Sequence, residues 1–145
     1  MQNKIVANQI LVDEIGRLVN EGMQVTFVPK GSSMLPFIRG ERDSVVLVKP
    51  ENIMPMDIVL AKVGQTHVMH RVISIEGEKV TLMGDGNLYG VEYCRRNDIT
   101  AKAIRIIKED RQIDCTHKKH KRNALIWKKL LPLRRYLLAF YRRIY

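Results

Sequence analysis

Between Val25 and about Lys108 the sequence is a succession of short apolar runs broken by turn residues, and this punctuation limits the fold more than any other feature. Val25-Thr26-Phe27-Val28 is followed by Ser44-Val45-Val46-Leu47-Val48, which stops at Lys49-Pro50. Ile58-Val59-Leu60-Ala61-Lys62-Val63 stops at Gly64-Gln65, and Ile99 to Ile107 is a last long run. His67 to Ile75 and Lys79 to Met83 flank Glu76-Gly77-Glu78, a short-loop hairpin signal. Such runs are too short for amphipathic helices and rich in β-branched residues, so they read as strands. Several short strands at this spacing predict a mainly β chain, folded as a small bent β-sheet or partial barrel.

The flanks differ. In residues 5–20 the apolar positions Ile10, Leu11, Ile15, Leu18 and Val19 form a helical stripe, with Asp13, Glu14, Arg17 and Asn20 largely between them and Gly22 as a stop. This predicts a one-sided helix on the β core. Strand signals resume at Val25, which leaves no room for the second helix of a helix-turn-helix. At the other end His117-Lys118-Lys119-His120-Lys121-Arg122 reads as a charged linker. Asn123 is a candidate cap for a helix over 124–145 that Pro132 kinks or divides. The predicted units are therefore residues 1–24, 25–112 and 113–145.

Charge separates these units. The 145 residues carry 25 Lys+Arg and 15 Asp+Glu, a net charge of +10. Every acidic residue lies before Thr116, while residues 116–145 hold 10 of the Lys and Arg. The excess charge belongs to the tail. There Trp127, Leu130, Leu131, Leu137, Leu138, Tyr141 and Ile144 oppose Lys128, Lys129, Arg134, Arg135, Arg142 and Arg143. A cationic face set against an apolar one predicts a helix lying in a membrane surface. Phosphate binding to nucleic acid competes, but would leave the aliphatic face without a partner, and a docking helix for a partner protein is the third option. No segment reaches the roughly 18 apolar residues of a membrane span, and no signal peptide precedes the first helix. The expectation is a cytoplasmic protein, peripheral on the inner membrane face. The 2 cysteines, Cys94 and Cys115, are too few for a disulfide framework. Cys115, His117 and His120 fall short of a structural zinc set, so neither metal nor cofactor is expected.

The stretch Gly31-Ser32-Ser33-Met34-Leu35-Pro36 places two serines on a turn after a strand. A serine hydroxyl becomes a nucleophile only beside a base, and a backbone N–H at such a turn can face a developing oxyanion. His70 and Asp85 are candidates for base and orienting carboxylate, with Glu92 a weaker substitute for the latter. Side-chain alternation puts His70 on one face with Val68 and Val72. His67, Met69, Arg71, Ile73 and Ile75 point the other way. From the residues alone, Gly-Ser-Ser and Gly-Asp-Gly-Asn also read as plain turns, and Asp43 and Asp57 as turn or cap groups.

The order of the segments adds a resemblance. Ser33-Met34-Leu35-Pro36 resembles the Ser-Met-x-Pro box of the type I signal peptidase superfamily. Met56-Asp57-Ile58-Val59-Leu60, His70-Arg71-Val72-Ile73 and Gly84-Asp85-Gly86-Asn87 follow in that family's order, over about residues 25 to 108. Histidine at position 70 is similar to the endoplasmic-reticulum and archaeal-type branch; the bacterial enzymes and self-cleaving repressors carry lysine. Bacterial members of the family often have a hydroxyl residue two positions before the nucleophile, where this chain has Gly31, and the box usually continues with Thr where this chain has Phe37. The resemblance implies a serine endopeptidase that cleaves a leader-like segment from a precursor, and the basic amphipathic tail with no signal peptide adds the expectation of an exporter or maturation partner beside it. Ser33 is the implied nucleophile, His70 the general base and Asp85 its orienting or site-shaping partner. Ser32, Ser33, Met34 and Pro36 are implied to form the oxyanion and substrate-binding stretch. A catalytically silent binding module of the same fold and a repressor-like DNA-associated regulator are the alternatives.

Overall fold

A computed structural model describes residues 2–144, with side chains from residue 9 onward. Met1 and Tyr145, the outer ends of the first and last predicted units, lie outside the described residues. The chain is mainly β, as the run-and-turn pattern predicts, and its sheet curls into a half-barrel. Strands β1 (Val25–Phe27), β2 (Ser44–Val48), β3 (Ile58–Val63), β4 (Thr66–Glu76), β5 (Lys79–Met83), β6 (Glu92–Arg95), β7 (Ile99–Ile107) and β8 (Gln112–Asp114) form one antiparallel sheet. Its order is β1-β2-β7-β3-β4-β5-β6, with β8 also paired to β7. Tight two-residue turns join β3 to β4 at Gly64-Gln65 and β4 to β5 at Gly77-Glu78, as the Val63↔Thr66 and Glu76↔Lys79 pairs fix them. The short β6 and β8 carry too few apolar residues to stand out in the sequence.

Both faces of the sheet are covered. On one, Ile58, Leu60, Ala101, Ala103 and Ile106 pack with Met34, Ile38 and helix α1 (Gln2–Asn20). On the other, Val59, Ala61, Val72, Val80, Leu82, Cys94 and Ile99 form a second cluster. The helix seats differently from the expected stripe. Val12, Ile15 and Val19 are buried, whereas Ile10 and Leu11 are exposed and Leu18 half-buried. The i, i+3, i+7 spacing of 12, 15 and 19 makes the narrower inward face. Gly16 allows the close approach, since a Cβ there would stand 3.3 Å from Thr100 Cγ2.

One irregularity corrects the reading of β4. Val72 pairs with Leu82 but Ser74 with Thr81, so Ile73 is an extra residue. This bulge resets the alternation, and Ile75 joins Val68 and Val72 on the second cluster instead of facing away with Arg71.

The tail folds back on the β domain. Helix α2 (Lys118–Lys129) and helix α3 (Arg134–Ile144) are separated by a 3-10 turn, Leu131–Leu133, that contains Pro132 at the predicted division. The cap differs from the expected Asn123: His117 Nδ1 accepts the Lys119 N–H at 3.0 Å, and the helix starts within the supposed linker. His120, Ala124, Arg134 and Leu138 form the buried side of the two helices. Among the described residues no helix is long and apolar enough to cross a membrane.

Candidate active site

The segment after β1 runs through a turn over residues 31–37. Gly31 has φ 84°, the left-handed region, and its backbone lies so close to Gly40 that a Cβ on Gly40 would meet Gly31 O at 2.0 Å. Two apolar side chains, Met34 and Ile38, anchor the turn in the core. Asp43 closes its far end. It is fully buried, accepts the Arg39 N–H at 2.7 Å, and pairs with Arg39 and with Lys108 Nζ at 2.6 Å. Burial alone would raise its pKa, but the Lys108 and Arg39 hydrogen bonds hold it below the usual carboxylate range. Asp43 is thus an ion-pair hub and not a simple turn group. Asp57 does cap a turn, accepting the Met54 N–H at 2.8 Å.

Ser33, half-buried, and His70, buried, line one cleft of about 150 Å³ with Pro29, Gly31, Met34 and Met69. The other wall of the cleft is β4. This strand pairs β3 from Thr66 to Arg71 but β5 only from Arg71 onward, so over residues 66–70 one backbone edge is turned to the cleft. His67 also lines it, contrary to strict alternation, because a strand edge presents consecutive residues. Burial and then the nearby Lys62 pull the His67 pKa below the ordinary imidazole value.

The loop Gly84-Asp85-Gly86-Asn87 lies against the serine turn, backbone to backbone. Gly86 N–H donates to Ser33 O at 2.8 Å, and Asp85 N–H points at Met34 Sδ at 3.5 Å. A Cβ on Gly86 would meet Ser32 O at 2.3 Å. One on Gly84 would lie 2.4 Å from Ser33 O and 3.1 Å from His70 Nε2. The Ser33 carbonyl and His70 Nε2 thus flank the same point, no farther apart than the sum of those two distances. Both glycines are required by close approach, not by backbone conformation.

His70 Nδ1 contacts Glu92 Oε1, the first residue of β6. With that carboxylate as acceptor, Nδ1 is the donating nitrogen and Nε2 is left on the Gly84 side. The expected orienting role of Asp85 is corrected here. Its two oxygens are taken by Arg71, from Nε at 2.9 Å and Nη2 at 2.7 Å, in a bidentate pair that is almost wholly buried. Arg71 also reaches Met56 O at 2.8 Å and His120 Nε2 at 3.2 Å, and lies over the Phe37 ring, which His120 meets edge-on. Asp85 therefore shapes the site through Arg71. Position 37, where the resemblance expects Thr, supplies an aromatic floor for that guanidinium.

The other expected residues divide. Ser32 is exposed and its carbonyl receives the Leu35 N–H at 3.2 Å, while Met34 anchors the turn. Pro36, in a cis peptide bond with Leu35, lies away from the cleft, in a groove shared with Phe37, His117 and His120. Of the tail residues assigned to a membrane surface, Lys128, Lys129, Arg135, Arg142 and Arg143 are exposed. Trp127 and Arg134 turn inward instead. Trp127 Nε1 donates to Asp85 O at 2.7 Å, Arg134 Nη1 donates to Asn87 O at 2.9 Å, and the Arg134 guanidinium lies over the Trp127 ring. Leu138, expected on the same outer surface, is buried too.

His120 went unrecognised as a site-shaping group because its sequence surroundings are all cationic. Burial first, then Arg71, pushes its pKa down to about 4, so it sits neutral against Arg71. Burial pushes the Cys94 thiol up to about 11 and Cys115 to about 12, which removes both as thiolate nucleophiles at neutral pH. Among the described residues no group of three His, Cys, Asp or Glu is arranged to hold a metal ion.

No protein-family model matches the sequence, and no match was found among curated proteins.

Proposed function

We propose that the chain is a serine endopeptidase that cuts a leader-like segment from a peptide or protein precursor, with Ser33 as nucleophile and His70 as general base. The observation that carries this reading is the cleft itself: Ser33 and His70 line it together, and Glu92 occupies the Nδ1 side of His70. In the proposed reaction His70 Nε2 takes the Ser33 Oγ proton as Oγ attacks the peptide carbonyl. Glu92 holds the ring and stabilises the imidazolium. The Ser33 N–H faces the oxyanion. The imidazolium then protonates the leaving amine, and water repeats the sequence on the acyl-enzyme. A substrate strand added along the free β4 edge at residues 66–70 would bring its carbonyl between the two walls.

The second part of the reading concerns location. Leu133, Tyr136, Leu137, Phe140 and Ile144 remain exposed along the 3-10 turn and α3, with Arg135, Arg142 and Arg143 beside them. An apolar stripe bordered by cations and free of acidic residues matches an anionic lipid surface. We infer that the enzyme works there, on precursors held at or near the bilayer.

The test is digestion of a peptide library, rich in leader-like sequences with small residues, by the intact protein, Ser33→Ala and His70→Ala in the presence of anionic vesicles. Cuts found by mass spectrometry and lost in both variants are the expected result. Cleavage that survives Ser33→Ala would sink the mechanism, and no cleavage by any form favours a binding module.

A further inference from the structure

We propose that Trp127 and Arg134 are positioning residues: through them α2 and α3 clamp the 84–87 loop and thereby set the approach of Ser33 to His70. The part concerning catalysis rests on the protease reading; the clamp does not. The 84–87 loop belongs to no strand, yet its Gly84 and Gly86 backbone is the surface on which the Ser33 turn rests. Its carbonyls point to the tail. Gly84 O receives Arg134 Nη1 at 3.5 Å, Asp85 O receives Trp127 Nε1 at 2.7 Å, and Asn87 O receives Arg134 Nη1 at 2.9 Å. From the Trp127 indole to the Ser33 backbone the path is two hydrogen bonds and one residue long, through Asp85 O and Gly86 N–H. The tail also meets the serine turn from behind, where Tyr141 and Arg142 share a groove with Gly31, Ser32 and Leu35. Lys121 adds an ion pair to Asp57 at 3.3 Å.

Covering the loop does not by itself require an arginine. Arg134 is 3% exposed, its Nε has no hydrogen-bond partner among the described residues, and burial pulls its guanidinium below the ordinary value. An apolar side chain would bury the same surface without leaving a buried donor unpaired. What Arg134 adds is one amino group, Nη1, shared by the first and last carbonyls of the loop, while Nη2 donates to Trp127 O at 3.3 Å and Trp127 Nε1 holds Asp85 O. That is a geometric constraint placed one step from the proposed reacting groups.

The experiment uses the full chain, with Trp127→Phe (which keeps a ring and removes the N–H), Arg134→Met (which keeps the stem) and exposed Arg122→Ala as control. Amide hydrogen exchange at residues 84–87 and 33–35 is measured by NMR without substrate, and kcat and KM are measured on a cleaved peptide. Loss of a hydrogen bond worth about 1 kcal/mol should speed Gly86 exchange by about 5-fold and lower kcat by a similar factor. KM should stay within about 2-fold and the pH profile should keep its shape, because the substrate edge and the His70–Glu92 pair are untouched. Unchanged Gly86 exchange in both variants would overturn the clamp. Faster exchange with unchanged kcat would overturn the positioning role. An intact protein that cleaves nothing, with exchange still faster in the variants, would fail the protease reading and leave the clamp standing.

Discussion

At His70 the two ring nitrogens face different partners, and the carboxylate behind them is not the one the Gly-Asp-x-Asn box implies. Glu92 touches Nδ1, while Asp85 is locked to Arg71. Glu92→Gln should therefore lower kcat by on the order of 10²-fold while leaving the denaturation midpoint nearly unchanged, since the Glu92 side chain is 32% exposed. Asp85→Asn should do the reverse in kind. Removing one member of a buried bidentate pair leaves Arg71 uncompensated and costs about 3–5 kcal/mol, to be read from urea unfolding. A large kcat loss without destabilisation in Asp85→Asn would reverse this assignment. The sequence made both carboxylates visible but ranked Asp85 above Glu92, the reverse of their contacts with His70. Asp85 sits within an expected motif, whereas Glu92 reaches His70 only because β6 lies beside β5, a strand pairing that four polar-rich residues do not announce.

The elements around the site are joined by backbone contacts that side-chain patterns cannot reveal. The strands are legible because aliphatic runs and Gly turns specify them directly, and β4 departs from strict alternation at the Ile73 bulge and at His67, which shares the cleft with His70. The packing of the 84–87 loop on the serine turn was not legible, because its determinant is the absence of two Cβ atoms. Gly86→Ala would place a methyl 2.3 Å from Ser32 O, so the loops must part. We expect destabilisation of about 2 kcal/mol or more in thermal unfolding and no detectable cleavage. A stable, active Gly86→Ala would show that the loops are not in contact in solution. The α2 attachment has its own signature. His120 is near 6.5 in the unfolded chain and about 4 in the fold, so the unfolded state binds the proton first. The stability that neutral His120 contributes is complete above about pH 6.5. It is lost as pH falls toward 4, by up to about 3 kcal/mol. Urea midpoints at pH 7 and pH 4.5 should differ in the native protein and differ less in His120→Gln, which keeps an acceptor near Arg71 without titrating, the remainder including His67, whose pKa is also lowered.

On the scale of the whole molecule, the tail has two opposed faces: one buried on the β domain through His120, Ala124, Arg134 and Leu138, the other an exposed apolar stripe with cations beside it. The cationic and apolar sets of the tail and the dividing Pro132 were readable as an amphipathic appendage. Which aromatic and which arginine turned inward was not, because α3 carries Leu and Arg on both its buried and its exposed side. Replacing Phe140 and Ile144 by serine should reduce sedimentation with anionic vesicles by about 10-fold or more, at unchanged fold by circular dichroism. Equal sedimentation would remove the lipid surface from the reading. The inward face also has a temporal meaning. A ribosome makes Ser33, His70, the 84–87 loop and Glu92 before it makes Trp127 and Arg134, and domains fold in the order they emerge. A nascent chain can thus complete the sheet while its serine turn still lacks the support of α2 and α3. On the proposed reading, translation itself would delay hydrolytic competence until the polypeptide beyond residue 134 is free to fold back.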